Sequence, residues 1–207
     1  MKTEAYSFVQ AAADLEGAGL LGGILVPDEG GTLAATDRPG PGGCLGAELD
    51  SRRLSAGRLF VAMQGERIHG RIFATDALRD GHWVLTDEED AHGHKLAGRP
   101  APSGSGVLLT TDPADALRVL ARCWRERFDI PVAGVTGTNG KTTTKDLLAA
   151  MLGGAGPVHA TRGNFNNDLG VPLTLLGLRR DHAFAVVEMG ASAVGEIDRL
   201  AELARPR

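Results

Sequence analysis

From Val132 onward, apolar and polar positions fall in blocks that read alternately as strand and helix. Val132 to Val135 is an apolar run of strand length. A helical segment, Lys141 to Leu152, follows it and places Leu148, Met151 and Leu152 on one face. Gly156 to Ala160 reads as a short strand and Pro172 to Leu178 as a short helix. Ala183 to Glu188 is an apolar strand of the kind covered on both faces. Gly195 to Ala204 is a helix carrying Ile197, Leu200 and Leu203, stopped by Pro206. Three consecutive strand–helix units predict a parallel sheet with right-handed crossovers.

Upstream, Asp112 is placed to cap a helix whose first residue is Pro113, where the missing N–H costs nothing. Leu117, Leu120, Trp124 and Phe128 form one apolar stripe along it, ending near Asp129 before Pro131. A domain boundary is expected there, dividing residues 1–129 from 130–207. In the first part, Arg58 to Met63, Trp83 to Leu85 and Val107 to Leu109 read as strands, and Ile72 to Leu78 as a short helix. Gly30 to Gly46 is a glycine- and proline-rich loop or hairpin, and Asp87 to Gly106 a second polar loop. The expected class is α/β: a small N-terminal α/β domain followed by an incomplete parallel-sheet domain resembling a P-loop ATPase.

Composition narrows the functions. The 207 residues are 43% hydrophobic, enough for a core, and the net charge of −4 offers no basic surface for nucleic acid or an anionic membrane. No apolar run approaches the roughly 18–20 residues of a membrane helix, so no membrane insertion is expected. Glu4, Asp14 and Glu16 stand where a signal peptide would be basic and then apolar. The two cysteines, Cys44 and Cys123, form no CxxC pattern, which removes a disulfide scaffold and a structural zinc site. A reducing cytoplasm is the expected compartment.

The strongest chemical signal is Thr136-Gly137-Thr138-Asn139-Gly140-Lys141-Thr142-Thr143, between an apolar strand and a helix. A triphosphate needs small residues so that backbone N–H groups can point inward, a helix N-terminus, a lysine for the β/γ-phosphates and a hydroxyl for magnesium. Gly137 and Gly140 permit the turn, Lys141 supplies the charge and Thr142 the metal ligand. The usual loop spacing would put its first glycine at Val135; here it stands one residue earlier, at Gly134. Lysine is scarce in the chain (Lys2, Lys95, Lys141 and Lys145 are all of them), so its presence at the end of this loop is informative. Glu188, closing an apolar strand, is the candidate carboxylate for magnesium, although a solvated strand-end glutamate has the same pattern. Asn164-Phe165-Asn166-Asn167-Asp168 is either turn chemistry or polar recognition of a substrate.

Weaker candidates remain. His92-Gly93-His94 with His82 lacks a third ligand at fixed spacing. Asp87 to Asp90 reads as a solvated acidic turn, Thr75 and Asp76 as helix surface, and Trp83 and Trp124 as core.

Three ordered blocks resemble the Mur ligases of peptidoglycan synthesis: Gly134 to Thr144, Thr161 to Pro172, and Val187 to Ala191. Asp50-Ser51-Arg52 and Leu59 to Arg67 resemble the family's N-terminal domain, which holds the UDP end of the substrate. The Asn-Phe-Asn-Asn loop followed by Gly-Val-Pro-Leu-Thr is most similar to the member that joins D-alanyl-D-alanine to a UDP-N-acetylmuramoyl tripeptide. The resemblance implies an ATP-dependent amide-bond ligase, working through an acyl phosphate with ATP and Mg2+. By motif match, Gly137, Thr138, Asn139, Gly140, Lys141, Thr142 and Thr143 bind ATP. Thr142 and Glu188 hold Mg2+, and Lys141 and Glu188 are the catalytic pair. Asn166 and Asn167 face the UDP-N-acetylmuramoyl peptide, and Ser51 and Arg52 its nucleotide end.

Two departures qualify it. The family continues Gly65-Glu66-Arg67 with Asp-Gly-His, whereas His69-Gly70-Arg71 stands here. Its central domain also runs past the length of this chain, to a metal-contacting histidine, a carbamylated lysine and a separate C-terminal domain. The expectation is therefore a ligase fragment with little activity alone, with an open sheet edge inviting self-association. A non-catalytic nucleotide-binding or interaction module, and another Mur-type ligase with a different acid substrate, are the alternatives.

Overall fold

A computed structural model describes residues 5–40, 42–65, 69–87 and 96–207. The described chain divides into two compact units, Ala5–Val119 and Leu120–Arg207.

The first unit opens with β1 (Tyr6–Ser7) and α1 (Phe8–Gly17). Ser7 caps α1, its hydroxyl accepting the Gln10 N–H at 3.2 Å, and Phe8, Ala11, Ala12 and Leu15 make the buried face. Then come β2 (Leu21–Pro27), β3 (Leu33–Thr36), β4 (Gly43–Cys44), β5 (Ala47–Glu48), β6 (Leu59–Val61), α2 (Ala74–Arg79), β7 (Trp83–Asp87) and β8 (Gly106–Thr110). Short 3-10 turns at Ser51–Arg53 and Gly70–Phe73 lie between them. Six strands form one mixed sheet in the order β3-β2-β8-β7-β6-β5. β5 to β8 pair in parallel, and β2 runs antiparallel to both its neighbours. β6 and β7 pair Leu59 with Trp83, Phe60 with Val84 and Val61 with Leu85, all buried, so neither strand alternates in polarity. Phe60, Ala74, Ala77, Leu78, Val84 and Val107 are central to the core. The glycine-rich stretch, read as a loop or hairpin, supplies β3, which pairs with β2, a strand that precedes the stretch and has no counterpart in the sequence reading.

α3 (Pro113–Arg125) carries the boundary between the units within it. Asp112 caps it as expected, its carboxylate accepting the Ala114 and Asp115 N–H groups at 2.8 and 3.0 Å. The helix stops at Arg125. A turn then closes through Phe128 N–H to Arg125 O, so Phe128 stays buried beyond the helix end.

The second unit continues with β9 (Val132–Val135), α4 (Lys141–Gly153), β10 (Val158–Ala160), α5 (Gly170–Leu176), β11 (Phe184–Glu188) and α6 (Glu196–Ala204). Its three strands are all parallel, in the order β10-β11-β9, as the strand–helix alternation predicts. Trp124 belongs to this core, its indole N–H donating to Leu178 O at 3.1 Å. One expectation fails. Met151 is 77% exposed and Leu148 and Leu152 are only half-buried, so they do not form a buried face of α4. The buried side chain on that helix is Lys145.

Candidate active site

The site sits at the carboxyl ends of β9 and β11, where a parallel sheet opens a crevice. Register brings it together. Glu188, the last residue of β11, pairs with Val135, the last residue of β9, and the Met189 N–H donates to Val135 O at 2.8 Å. The loop Thr136–Gly140 leaves from that point and is exposed throughout. Gly140 has φ +76°, a left-handed conformation that a side chain disfavours, and it turns the chain directly into α4. The first N–H groups of α4 have no intrahelical acceptor, and they give its N-terminus a positive field. The Lys141 ammonium folds back over the loop, donating to Gly137 O at 2.6 Å. Main-chain amides, a cation and a hydroxyl are thus gathered as an anion site requires. Thr138, Asn139 and Thr143 flank it, exposed on the loop and on the first turn of α4.

Glu188 is 1% exposed. Its Oε1 accepts the Thr142 hydroxyl at 3.2 Å and the Asn166 amide Nδ2–H at 2.8 Å. Its Oε2 is buried with no hydrogen-bond partner. A buried carboxylate oxygen without a partner is costly, and a cation at that oxygen would satisfy it. Thr142 and Glu188, expected on different elements to share a metal, are therefore in contact. Asn166 joins them as the partner of Glu188. Asn167 is turned to local work: its Oδ1 accepts the N–H groups of Leu169 and Gly170 at 3.3 and 2.8 Å, securing the start of α5.

In the first unit, Asp50 accepts the Arg52 guanidinium through two 2.8 Å bonds and the Arg52 N–H at 3.1 Å. The Arg52 guanidinium holds the Asp50 carboxyl down to about 2. Arg52 is 85% exposed in its side chain and Ser51 is half-buried beside it, on a 3-10 turn following β5. The pair is presented on a fixed turn.

Residues 135–207 match the family model of the Mur ligase middle domain. The UDP-N-acetylmuramoyl-tripeptide–D-alanyl-D-alanine ligase of Synechocystis sp. is 43% identical over 157 residues, covering 76% of this chain and 33% of that protein. The Bacillus subtilis ligase of the same name is 42% identical over 162 residues, covering 78% and 34%. Among solved structures, a crystal structure of MurF from Acinetobacter baumannii aligns over 100% of this chain and 40% of its own. Its TM-score is 0.71 and its identity 31%. The MurF ligase of Thermotoga maritima, in complex with ADP, aligns over 77% of this chain and 35% of its own, with TM-score 0.61 and 33% identity. The chain belongs to the Mur ligase family.

This Mur ligase chain spans about a third of the length of the curated relatives it matches. Two of its buried polar contacts have no motif to announce them. Lys145 donates from Nζ to Thr161 O at 3.0 Å, and Thr161 Oγ1 accepts the Glu188 N–H at 2.9 Å. A signal existed: Lys145 follows Lys141 by four positions in a chain with so few lysines. His69 lies 3.3 Å from Asp87, which also pairs with the buried Arg71, so the departure His69-Gly70-Arg71 converges on one carboxylate. Trp83 and Trp124 are core as expected, each 3% exposed. Glu66, Arg67, His92 and His94 lie outside the described residues. Among the described residues no group of three potential ligands is assembled for a metal, and no helix is long and apolar enough to cross a membrane.

Proposed function

We propose that this chain supplies the ATP-binding and UDP-precursor-binding parts of a ligase that joins D-alanyl-D-alanine to a UDP-N-acetylmuramoyl tripeptide. In that reaction the tripeptide carboxylate takes the γ-phosphoryl group of ATP, leaving ADP and an acyl phosphate. The amine of D-alanyl-D-alanine then displaces phosphate and forms the amide. Residues 130–207 serve the nucleotide, and residues 1–129 hold the UDP end through Ser51 and Arg52. The cytoplasm, where ATP is available, is the compartment for this chemistry.

Charge placement governs both steps. The amides of Gly137 to Thr143 hold the phosphates, and Lys141 moves its ammonium from Gly137 O onto the transferring group. Thr142 and Glu188 fit a divalent cation, because the free Glu188 oxygen is buried and next to a hydroxyl. Bound there, Mg2+ supplies charge neutralisation on the triphosphate. Asn166 orients Glu188 and stands where the peptide carboxylate must approach, with Asn167 fixing the loop that carries it.

One observation carries the reading: the Gly140 turn, with the Lys141 ammonium folded over its loop, opens a helix whose Thr142 hydroxyl meets a buried carboxylate with one unpartnered oxygen. The test is equilibrium binding of ATP with Mg2+ to the 207-residue chain and to Lys141→Ala. A charge-assisted phosphate contact contributes about 1.5–3 kcal/mol, so the variant should bind ~10–100-fold more weakly. Equal affinity for both proteins would remove the basis of the reading.

A further inference from the structure

The nucleotide site leaves unused a lysine that is 5% exposed. Burying an ammonium is unfavourable unless it is paired, and an apolar side chain of similar length would fill the same space without that cost. Lys145 must therefore be assigned a role through its bonds. Its Nζ donates to Thr161 O at 3.0 Å and lies 2.7 Å from the surface carboxylate of Asp146.

The Thr161 bond leads to the site. Lys145 lies three residues after Thr142, on the same face of α4 one turn on. Thr161 follows β10 directly and is 2% exposed. Its N–H donates to Val186 O at 3.0 Å, and its hydroxyl accepts the Glu188 N–H at 2.9 Å. Two routes thus join α4 to the end of β11. One is direct, Thr142 Oγ1 to Glu188 Oε1. The other runs through Lys145, Thr161 and the backbone of Glu188. The second route fixes the helix against the strand from beneath, independently of whatever occupies the site above.

We propose that Lys145 is a positioning residue that sets the separation of the Thr142 hydroxyl and the Glu188 carboxylate, and thereby the divalent-cation requirement of nucleotide binding. The inference rests on the nucleotide function proposed above. Partners that orient metal ligands typically govern 10–100-fold in metal affinity. The amides and Lys141, which need no cation to meet phosphate, are untouched by the change.

The experiment titrates Mg2+ against binding of a fluorescent ATP analogue to the 207-residue chain, with thermal melting recorded in parallel. In Lys145→Met the Mg2+ concentration for half-maximal binding rises about tenfold, while affinity in EDTA stays within about twofold. Lys145→Arg, which keeps a donor toward Thr161 O, recovers most of the difference. A lower melting temperature with an unchanged Mg2+ midpoint would assign Lys145 to stability alone and overturn the inference. If Lys145→Met does not fold, Thr161→Val decides, since it removes only the hydroxyl that accepts the Glu188 N–H. A raised midpoint supports the inference and an unmoved one rejects it. An unsubstituted chain that binds no nucleotide at any Mg2+ concentration would bring down the nucleotide site and this inference together. An unsubstituted chain with Mg2+-dependent binding, unaltered in the variants, would bring down the inference alone.

Discussion

Asn166 and Glu188, on separate segments of the second unit, are joined by a 2.8 Å hydrogen bond from Nδ2–H to Oε1. The asparagine grips the strand end twice, because its backbone carbonyl also accepts the Gly190 N–H at 2.7 Å. A neutral donor at this point satisfies one oxygen of a carboxyl group that is 1% exposed.

Asn166→Asp exchanges that donor for a second carboxylate. Losing the bond and adding like charge should destabilise the chain by about 1–3 kcal/mol at pH 7. One of the paired carboxyls would then have a folded-state value raised above its unfolded one. Stability relative to the unsubstituted chain should therefore recover as pH falls from 7 toward 4. Urea unfolding of both proteins at pH 7 and pH 5 checks this; a pH-independent difference would show that the two carboxylates do not interact.

Gly170 and Gly153 make a contrasting pair. A Cβ on Gly170 would lie 2.3 Å from the Phe165 carbonyl carbon and 2.4 Å from its Cα, both backbone atoms that cannot step aside. On Gly153, the last residue of α4, a Cβ would meet nothing within 4 Å, and φ is not positive. Gly170→Ala should cost roughly 3 kcal/mol through overpacking. Gly153→Ala should stabilise by about 0.5–1 kcal/mol through the unfolded chain and helix propensity. Denaturant midpoints of the two variants, moving in opposite directions, are the expected result.

The contrast between the units shows what a single sequence displays. The second unit was legible because buried parallel strands and their crossover helices follow one another locally. Val132–Val135 and Ala183–Glu188 could be read as strands, and the loop between β9 and α4 by its residue types. The joining of Thr142, Asn166 and Glu188 was not legible as a contact, since it depends on β9 and β11 being paired in one register. The first unit hid more. β2 contains Gly22 and Gly23 and finds its partner in the distant β8, while β4 and β5 have two residues each, too few for a pattern. α4 misled because its apolar spacing suggested a buried face, whereas the residue it buries is the charged Lys145, held by a long-range bond to Thr161.

Arg125 is held entirely by carbonyls. It is 3% exposed, and it donates through Nε to Ala204 O, through Nη1 to Phe128 O and through Nη2 to Arg205 O. Burial, with Arg207 and Arg205 nearby, lowers its affinity for its proton. It closes the C-terminal end of α6, whose last carbonyls would otherwise lack donors. Arg125→Met leaves those acceptors buried and should cost about 3 kcal/mol. Hydrogen exchange should locate the loss in α6; protection there equal to that of the unsubstituted chain would contradict the capping role.

His159 gives the second unit an acid limit. Its ring packs 4.9 Å from that of His182, and its Nε2–H faces Thr174 O at 2.6 Å, so the neutral form is the one the fold accommodates. Burial pushes its pKa down to about 4, and His182, also lowered by burial, works in the same direction. The unfolded chain takes up the proton near its ordinary value of 6.5 and the folded chain does not. Stability from this source is complete above that value and falls as pH drops from 6.5 toward 4. At its limit the loss is ~3 kcal/mol, since each tenfold change in proton affinity is worth about 1.4 kcal/mol. His159→Gln keeps a donor toward Thr174 O but cannot titrate. Unfolding free energies measured between pH 7 and 4 should fall less steeply for this variant than for the unsubstituted chain. Two parallel profiles would mean that the acid sensitivity belongs to other groups.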